Sequence, residues 1–302
     1  CNLQCSFCPE VKRTKTKMNL ELFRRVIEQI APLTEQVCLH LMGEPLTHPE
    51  LQSFIQICAV HNLPVFFVSN GVLLQDKHTD ILLHPVIRQL NFSLHSFHDN
   101  FPNKDPGPYL EKIFKLTELA FNKRPDLYIN FRLWNLQSTA ILDQHEIRQE
   151  IHQSPSVMTT PTDNKELTNL DFLRRIENHF SIPLFEKLQK TNNIKQQKSL
   201  HILNRLYLHF DTEFIWPDLN LPILGKKGTC YGLSSHFGIL ADGTVVPCCL
   251  DKEASIPLGN IQQKNITEIL NSPRAQNILL GFKQNKLHED LCQRCQYIER
   301  FQ

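Results

Sequence analysis

The segments IRQLNFSLHSF (87–97), YLEKIFKLTELAFNK (109–123) and LYINFRLWNL (127–136) decide the fold of this chain. The first and third segments predict strands, and their Ile, Phe, Tyr and Trp residues are types that strands favour. The middle segment repeats its apolar residues at helical spacing. A strand, a helix and a second strand in this order predict a right-handed crossover between parallel strands.

The same alternation continues on both sides of this region. NLELFRRVIEQIAP (19–32) and LQSFIQICAVHN (51–62) have apolar residues at helical spacing and predict helices. QVCLHLMGEP (36–45), LPVFFVSNG (63–71) and RLYLHF (205–210) predict further strands. We therefore expect an α/β fold whose parallel sheet closes into a barrel or part of one.

The rest of the chain differs in character. Residues 138–200 are polar, and we expect QSPSVMTTPTDNKE (153–166) to be a loop flanked by solvated helices. HFGILADGTVVPCC (236–249) contains two apolar runs joined by Asp-Gly, which predicts a β-hairpin. The sequence thus predicts two domains, residues 1–210 and residues 211–302.

Composition excludes some classes of partner. The chain has 302 residues, with 32 Lys+Arg and 31 Asp+Glu, and a formal charge of +1. A charge so near zero gives no electrostatic basis for binding nucleic acid or an anionic membrane surface. Apolar stretches also fall short of the roughly 20 residues that span a bilayer. We therefore expect no nucleic acid and no membrane among the partners, and a cytoplasmic location.

Cysteine is unusually frequent, and the cysteines are clustered. The ten lie at positions 1, 5, 8, 38, 58, 230, 248, 249, 292 and 295. Tight groups in a chain without secretory features favour metal ligands over disulfides. Cys38 falls in a predicted strand and Cys58 on the apolar face of a predicted helix, so we expect both to be small buried hydrophobic residues.

The segment CNLQCSFC (1–8) carries three thiols separated by three and two residues. Structural zinc takes four ligands, and full ligation of a [4Fe–4S] cluster by protein takes four cysteines. Three thiolates therefore suit a [4Fe–4S] cluster with one iron left open for another ligand. A zinc or disulfide cluster is the alternative.

This segment resembles the C-x3-C-x2-C signature of the radical S-adenosylmethionine (SAM) family, including the aromatic Phe7 before the third cysteine. The resemblance implies a partial (β/α)6 TIM-type barrel and a [4Fe–4S] cluster on Cys1, Cys5 and Cys8 that chelates SAM. It also implies an electron donor such as a flavodoxin or ferredoxin, and reductive cleavage of SAM to a 5′-deoxyadenosyl radical. In this family a strand precedes the first cysteine, so we expect the first barrel strand to be missing from a truncated record.

The segment LHLMGEPLTHP (39–49) resembles the family's GGEP motif. The resemblance implies that Gly43, Glu44 and Pro45 hold the amino group of SAM, with Glu44 accepting hydrogen bonds from the ammonium. Met42 stands where the first glycine is usual, and its Cβ makes a backbone contact from that position doubtful.

Three more segments resemble SAM contacts of the family. In VSNG (68–71), Ser69 and Asn70 would line the SAM pocket. Ser93 in NFSLHSF would meet the ribose or carboxylate, and Arg132 would reach the carboxylate. Three other side chains face the substrate or simply pack within the fold: His95, His98 and Trp134.

The C-terminal cysteines predict a second site. The hairpin can bring Cys230 and Cys248 together, and the C-x2-C pair Cys292 and Cys295 can complete a closed tetrathiolate for zinc or [4Fe–4S]. The spacing C-x12-G-x4-C, followed by LGNI and C-x2-C, resembles the twitch domain, the short form of the SPASM extension. That resemblance implies one auxiliary [4Fe–4S] cluster. Cys249 would point to the opposite strand face and is expected to be a spare thiol, although a swap with Cys248 stays open.

The resemblance implies a radical SAM oxidoreductase or modifying enzyme. Peptide or protein modification is favoured, and a cofactor precursor or a sugar is the alternative substrate. The alternative function is a non-catalytic protein that binds zinc or an iron–sulfur cluster.

Overall fold

The computed structural model describes residues 1–142, 147–148 and 169–301. Its main feature is a six-stranded sheet in the order β1-β2-β3-β4-β6-β5. The strands are β1 Val37–Cys38, β2 Val65–Ser69, β3 Ile87–Ser93, β4 Tyr128–Leu136, β5 Ser199–Leu203 and β6 Leu206–Thr212. All neighbours are parallel except β5 and β6. The expected α/β fold with a partial barrel is confirmed.

Seven helices of the described residues precede or connect the strands of this sheet. They are α1 Leu20–Ile30, α2 Leu51–Val60, α3 Thr79–Leu82, α4 His95–Asn100, α5 Gly107–Lys123, α6 Asn169–Phe180 and α7 Leu184–Lys190. Helix α1 begins where the Asn19 side chain accepts a hydrogen bond from the Leu22 N–H, and one face of the helix is buried. Apolar side chains from both the helices and the sheet form one large core.

The structure corrects three local expectations. The segment 87–97 is a strand only as far as Ser93, because the backbone turns at Leu94 and α4 follows. Helices α6 and α7 are not merely solvated, since Phe172 and Leu184 are fully buried. Strand β5 was not expected, and it pairs with β6 across a tight turn in which Asn204 has a φ of 50°. The predicted loop 153–166 lies outside the described residues.

A smaller sheet forms after β6. It contains β7 Gly238–Ile239, β8 Thr244–Val246 and β9 Gly259–Asn260, and helices α8 Ile266–Leu270 and α9 Pro273–Lys283 follow. The structure bears out the hairpin between β7 and β8, where Gly243 has a φ of 87°. A second apolar cluster around Ile278 and Phe282 packs against Cys230 and Cys292. The boundary between residues 210 and 211 stays a prediction.

Within the described part of the chain, the helices lack the combination of length and apolar character needed to cross a membrane.

Candidate active site

The cysteine loop, residues 1–8, is anchored to α4, the short helix that follows β3. The backbone N–H of Gln4 donates to Asn100 Oδ1 at 3.0 Å, and the N–H of Ser6 donates to Asp99 Oδ2 at 2.6 Å. The Ser6 hydroxyl donates to the other oxygen of Asp99. These bonds fix the loop at the carboxyl end of β3, the edge where parallel α/β sheets bind ligands.

The three thiols of this loop differ in their surroundings. Cys5 is buried, while Cys1 and Cys8 are exposed. The pKa of Cys5 is lowered to about 7, mainly by a hydrogen bond from the Cys8 thiol, while burial opposes the shift and Asn100 supports it. The pKa of Cys8 is raised because Cys8 is the donor of that bond.

The donor chemistry around the sulfurs fits an iron–sulfur cluster. Asn100 Nδ2 lies 3.1 Å from Cys5 Sγ, and Asn70 Nδ2 lies 3.8 Å from Cys1 Sγ. Asn70 also donates to Asn2 Oδ1 at 2.8 Å, which ties the β2 turn to the cysteine loop. Thiolates are the ligands that iron–sulfur clusters require, and amide N–H groups stabilise the negative sulfur.

The Glu44 carboxylate organises the turns that follow β1 and β2. It is 5% exposed and accepts hydrogen bonds from Ser69 Oγ at 2.9 Å, Asn70 N at 2.8 Å and Leu46 N at 3.1 Å. Burial raises its pKa, and the bonds from Asn70, Leu46 and Ser69 oppose that shift. A carboxylate offers about four acceptor positions, so about one remains for another donor. The expected bond from Glu44 to an ammonium stays a prediction.

The unusual backbone of the GEP segment is at Met42. Its φ is 51°, in the left-handed region that glycine adopts without strain. Gly43 shows no positive φ, and a Cβ there would meet its nearest atom, Leu41 O, only at 4.0 Å. The family's usual glycine at position 42 thus has a conformational reason, and Pro45 after it is buried.

Arg132 is a buried cation. It is 8% exposed, and its guanidinium lies 4.4 Å from the centroid of the Trp134 ring and 5.4 Å from that of Phe66. Burial lowers the pKa of Arg132 to about 10, while the Cys38 thiol opposes the shift. Among residues 1–142, 147–148 and 169–301, the ion pairs do not include Arg132. Its strand neighbour in the register is Ser93, and on the other side His209.

His95, His98 and Trp134 were expected either to face the substrate or to pack within the fold. His95 packs its ring 5.0 Å from that of Phe7, and its Nδ1 lies 3.0 Å from the Arg132 carbonyl oxygen. His98 packs against the ring of Phe172 at 4.0 Å. Trp134 Nε1 donates to His209 Nδ1 at 2.8 Å, so Trp134 lies beside Arg132 and His209.

The four C-terminal thiols lie near one another. Burial raises the pKa of the Cys292 thiol, and the charges of neighbouring thiols raise it further. Those neighbours are Cys248, Cys295 and Cys230. Gly232 N donates to Cys230 Sγ at 3.4 Å. All ten cysteines lie among the described residues and are free thiols.

Cys38 and Cys58 were both expected to be buried, and the structure confirms this for only one of them. Cys58 is fully buried, as expected, but Cys38 is exposed, so the expectation of a buried Cys38 was wrong. Burial nevertheless raises the pKa of Cys38 to about 11, and the Cys249 thiol adds to that shift.

The cysteine groups are arranged differently from the ligands of a single metal ion. In the described part of the chain, three or more His, Cys, Asp or Glu side chains nowhere converge as they would around one metal ion. Each cysteine of a [4Fe–4S] cluster binds a different iron, so cluster ligands stand further apart than the ligands of one ion.

Sequence reasoning missed Asp99, Asn100, His209 and Glu253. The carboxylate of Glu253, four residues after Cys249, accepts hydrogen bonds from Lys12 N at 2.9 Å and Arg13 N at 2.8 Å. It thereby connects the segment that follows the cysteine loop to the C-terminal domain. The triplet His-Asp-Asn just after β3 was a usable signal, since polar residues at the carboxyl ends of parallel strands are site candidates. For Glu253 the sequence carries no such signal.

The arrangement defines a class: an α/β protein that brings a three-thiol loop to the carboxyl ends of its strands and carries a second, four-thiol group. The family model of the radical SAM superfamily matches residues 1–135, and that of the SPASM iron–sulfur cluster-binding domain matches residues 230–296. The chain belongs to the radical SAM superfamily and has a SPASM-type domain. It is a radical SAM enzyme, and its cofactors are SAM and [4Fe–4S] clusters.

Solved structures share the fold. SuiB of Streptococcus suis bound to the precursor peptide SuiA matches with a TM-score of 0.54 and 16% identity, covering 100% of this chain and 70% of SuiB. BtrN in complex with AdoMet and 2-DOIA matches with a TM-score of 0.51 and 16% identity, covering 98% of this chain and 88% of BtrN. A search of curated proteins finds no match. At such low identity these likenesses support the fold.

Proposed function

We propose that this enzyme modifies a peptide or protein by SAM-dependent hydrogen abstraction. The observation that carries the proposal is the contact between the cysteine loop and the β2 turn. Asn70 donates to Asn2 Oδ1 at 2.8 Å, and its backbone N–H donates to Glu44 at 2.8 Å. The cysteine loop, the GEP segment and the β2 turn, which all resemble radical SAM motifs, thereby meet at one edge of the sheet.

In this proposal Cys1, Cys5 and Cys8 are the ligands of the SAM-binding cluster. When bound and reduced, the cluster supplies the electron that cleaves SAM to the 5′-deoxyadenosyl radical. The chain's own contribution is to hold the loop on α4 and to supply amide donors to the sulfurs of Cys1 and Cys5. A flavodoxin or ferredoxin is the proposed electron donor.

The SAM pocket is proposed to run from the β1 turn to β4. Gly43, Glu44 and Pro45 would lie at the amino group, with Ser69 and Asn70 on the pocket wall. The half-buried Phe7 ring, whose centroid lies 5.0 Å from that of the tilted His95 ring, would close the side next to the cluster.

Arg132, with Ser93 beside it, is the proposed partner of the SAM carboxylate. A buried guanidinium that lies against the rings of Phe66 and Trp134 and forms no ion pair among the described residues is costly unless an anion joins it. A carboxylate would accept charge-assisted hydrogen bonds from it, which are roughly twice as strong as neutral ones.

Cys230, Cys248, Cys292 and Cys295 are the proposed ligands of one auxiliary [4Fe–4S] cluster. Four thiolates close a cluster to other ligands, so this cluster would relay electrons or orient the substrate. Cys249, whose charge acts on Cys248 and Cys295 as well as on Cys38, is left as the spare thiol. Its exchange with Cys248 is an outcome that the test below can detect.

The substrate class rests on weaker support. SuiB, which shares the fold, is solved with a precursor peptide, whereas BtrN is solved with 2-DOIA. The first favours a peptide, and the second keeps a small molecule as the alternative. A cytoplasmic location also belongs to the proposal, since reduced cysteine clusters suit a reducing compartment.

Anaerobic reconstitution with iron and sulfide tests the assignment. Two cubane clusters require about eight irons per chain. Replacing Cys1, Cys5 and Cys8 together by alanine should remove about half of the iron and all formation of 5′-deoxyadenosine. The Cys58→Ala variant is the matched control, because that thiol is buried in α2 away from both thiol groups. Formation of 5′-deoxyadenosine by the triple variant would overturn the proposal, and zinc in place of iron at the C-terminal thiols would favour the zinc-binding alternative there.

Substitution of Cys248 and of Cys249, one at a time, separates these two thiols. Loss of about four irons in only one variant identifies the ligand. For the substrate, incubation with deuterium-labelled candidate peptides should transfer deuterium into 5′-deoxyadenosine, and transfer only from a small molecule would favour the alternative class.

A further inference from the structure

Asn100, the last residue of α4, contacts the cysteine loop through both ends of its side-chain amide. Its Nδ2 lies 3.1 Å from Cys5 Sγ and 2.9 Å from the carbonyl oxygen of Ser96. Its Oδ1 accepts from the backbone N–H of Gln4 at 3.0 Å. An amide nitrogen has two N–H donors, so both are used, and one of them points at sulfur.

The orientation of this amide is determined by its partners. The Gln4 N–H can only donate and the Ser96 carbonyl can only accept, so the oxygen must face Gln4 and the nitrogen must face Ser96 and Cys5. The N–H directed at Cys5 therefore follows from the hydrogen-bond network. The helix holds the amide in place because its own backbone carbonyl, four residues back, is one of the three partners.

Cys5 is the buried thiol of its group, so a hydrogen-bond donor stabilises negative charge on its sulfur more than it would at an exposed thiol. Cys1 and Cys8 are exposed, so water can solvate their sulfurs, whereas the Cys5 sulfur depends on the protein. A buried charged acceptor that lacks a donor carries the full cost of desolvation. Hydrogen bonds to sulfur, burial and net charge are the features that set the reduction potential of an iron–sulfur cluster.

We propose that Asn100 is a positioning residue that holds the Cys5 sulfur and raises the reduction potential of the cluster on the cysteine loop. The inference rests on the proposed ligation of that cluster by Cys1, Cys5 and Cys8. Reduction adds one negative charge to the cluster, and part of that charge resides on the sulfurs. The N–H of Asn100 therefore stabilises the reduced state more than the oxidised state.

The neighbouring residue provides an electrostatic control. Asp99 anchors the same loop by accepting hydrogen bonds from both the backbone N–H and the hydroxyl of Ser6, so its carboxylate contacts the residue next to Cys5. Asp99→Asn keeps the size and acceptor oxygen of the side chain but removes the charge. Loss of a nearby negative charge raises the reduction potential, whereas loss of the Asn100 donor lowers it. The two variants loosen the same loop but shift the potential in opposite directions.

The test is a redox titration of the reconstituted full chain, followed by electron paramagnetic resonance. The signal of the loop cluster is the one that changes when SAM is added. For Asn100→Ala we expect the ratio of oxidised to reduced loop cluster at fixed potential to rise about tenfold, which is ~59 mV for a one-electron couple. Asn100→Asp, which replaces the donor by a carboxylate, should shift it further in the same direction. Asp99→Asn should shift it the opposite way.

The outcomes separate this inference from the proposed function. If the wild-type chain shows no SAM-responsive signal, the ligation itself is wrong. If the signal is present but Asn100→Ala leaves its potential unchanged, the role of Asn100 is wrong. Shifts of the same sign in the Asn100→Ala and Asp99→Asn variants, or loss of cluster iron from both, would show that α4 only anchors the loop and would also overturn the inference.

Discussion

Replacing Glu253 by alanine should release the segment that follows the cysteine loop, at Lys12 and Arg13, from the C-terminal domain. The Glu253 carboxylate accepts from Lys12 N at 2.9 Å, Arg13 N at 2.8 Å and Lys252 Nζ at 3.1 Å. Arg13 Nε also donates to the Lys252 carbonyl oxygen at 2.8 Å. Residues 240 positions apart in the chain are thereby joined.

The magnitude follows from the exposure of these bonds. A hydrogen bond to a charged group contributes about 1.5–3 kcal/mol when its partner would otherwise be unsatisfied. The Lys12 bond is exposed and the Arg13 bond is half-buried, so water replaces much of the first and less of the second. We expect a net loss of about 2 kcal/mol, which is about a 30-fold change in an equilibrium constant since 1.4 kcal/mol is tenfold.

Hydrogen–deuterium exchange measures this loss where it occurs. In Glu253→Ala the amides of Lys12 and Arg13 should exchange about 30-fold faster if exchange follows the opening equilibrium. Glu253→Gln keeps one acceptor oxygen and should give a smaller increase. Partial burial raises the pKa of Glu253, but hydrogen bonds from Lys12, Lys252 and Arg13 outweigh it and hold the pKa below 4.5. The contact is therefore complete above pH 4.5 and weakens as the pH falls through the folded-state pKa.

Glu289→Ala is the matched control for this experiment. Glu289 lies in the same domain and pairs with Arg274 at 2.7 Å, remote in sequence from the cysteine loop. It should destabilise its own surroundings and leave exchange at Lys12 and Arg13 unchanged. The reasoning is refuted if Glu253→Ala exchanges like the wild type at these two amides, or if the control accelerates them equally.

The remaining predictions concern strain, charge and pH. Met42→Gly should raise the free energy of unfolding, measured in urea, by about 1 kcal/mol. Glycine adopts a φ of 51° without the steric cost that a side chain has there. A lower stability of the variant would contradict this prediction. Arg132→Gln should weaken SAM binding about 10- to 100-fold in equilibrium dialysis, because a lost hydrogen bond to a charged group costs about 1.5–3 kcal/mol. The circular dichroism spectrum should stay unchanged. An unaltered Kd would show that Arg132 does not bind SAM. Four histidines have a pKa that burial lowers to about 4: His40, His95, His98 and His209. Below pH 6.5 these histidines bind protons in the unfolded chain but stay neutral in the folded protein. The free energy of unfolding should therefore be constant above pH 6.5 and fall between pH 6.5 and about 4. The fall should be up to about 1.4 kcal/mol per pH unit for each histidine. Urea unfolding at pH 7.5 and 5.5 checks this, and equal stabilities would contradict it.

The spacing of residues along the chain was enough for the class of fold and for its cofactors. Apolar runs that alternate with helical periods specify parallel strands with crossover helices, and these are local patterns. The cysteine spacings are equally local, since the loop 1–8 holds all three thiols of its group. The β7–β8 hairpin was predictable because an Asp-Gly turn depends on only two residues.

Local patterns failed where a distant segment decided the outcome. The apolar run 87–97 read as one strand, yet α4 begins at His95, because Leu94 N–H bonds to the Arg132 carbonyl on the neighbouring strand. Cys38 has the sequence surroundings of a core residue, but β1 is an edge strand and leaves it exposed. Strand β5 depends on its pairing with β6 across Asn204.

The sequence by itself determined that this chain carries two groups of thiols on an α/β scaffold, and it predicted three cluster ligands in the first group and four in the second. Only the tertiary structure decided which polar groups contact those thiols and the segment that follows the cysteine loop. Asn100 reaches Cys5 across 95 positions, and Glu253 reaches Arg13 across 240. Such contacts depend on how helices and strands pack in space, and a hydrogen bond is lost within about 1 Å of displacement. No spacing rule along a chain carries that precision, so the electrostatic surroundings of the site emerge only once the fold has formed.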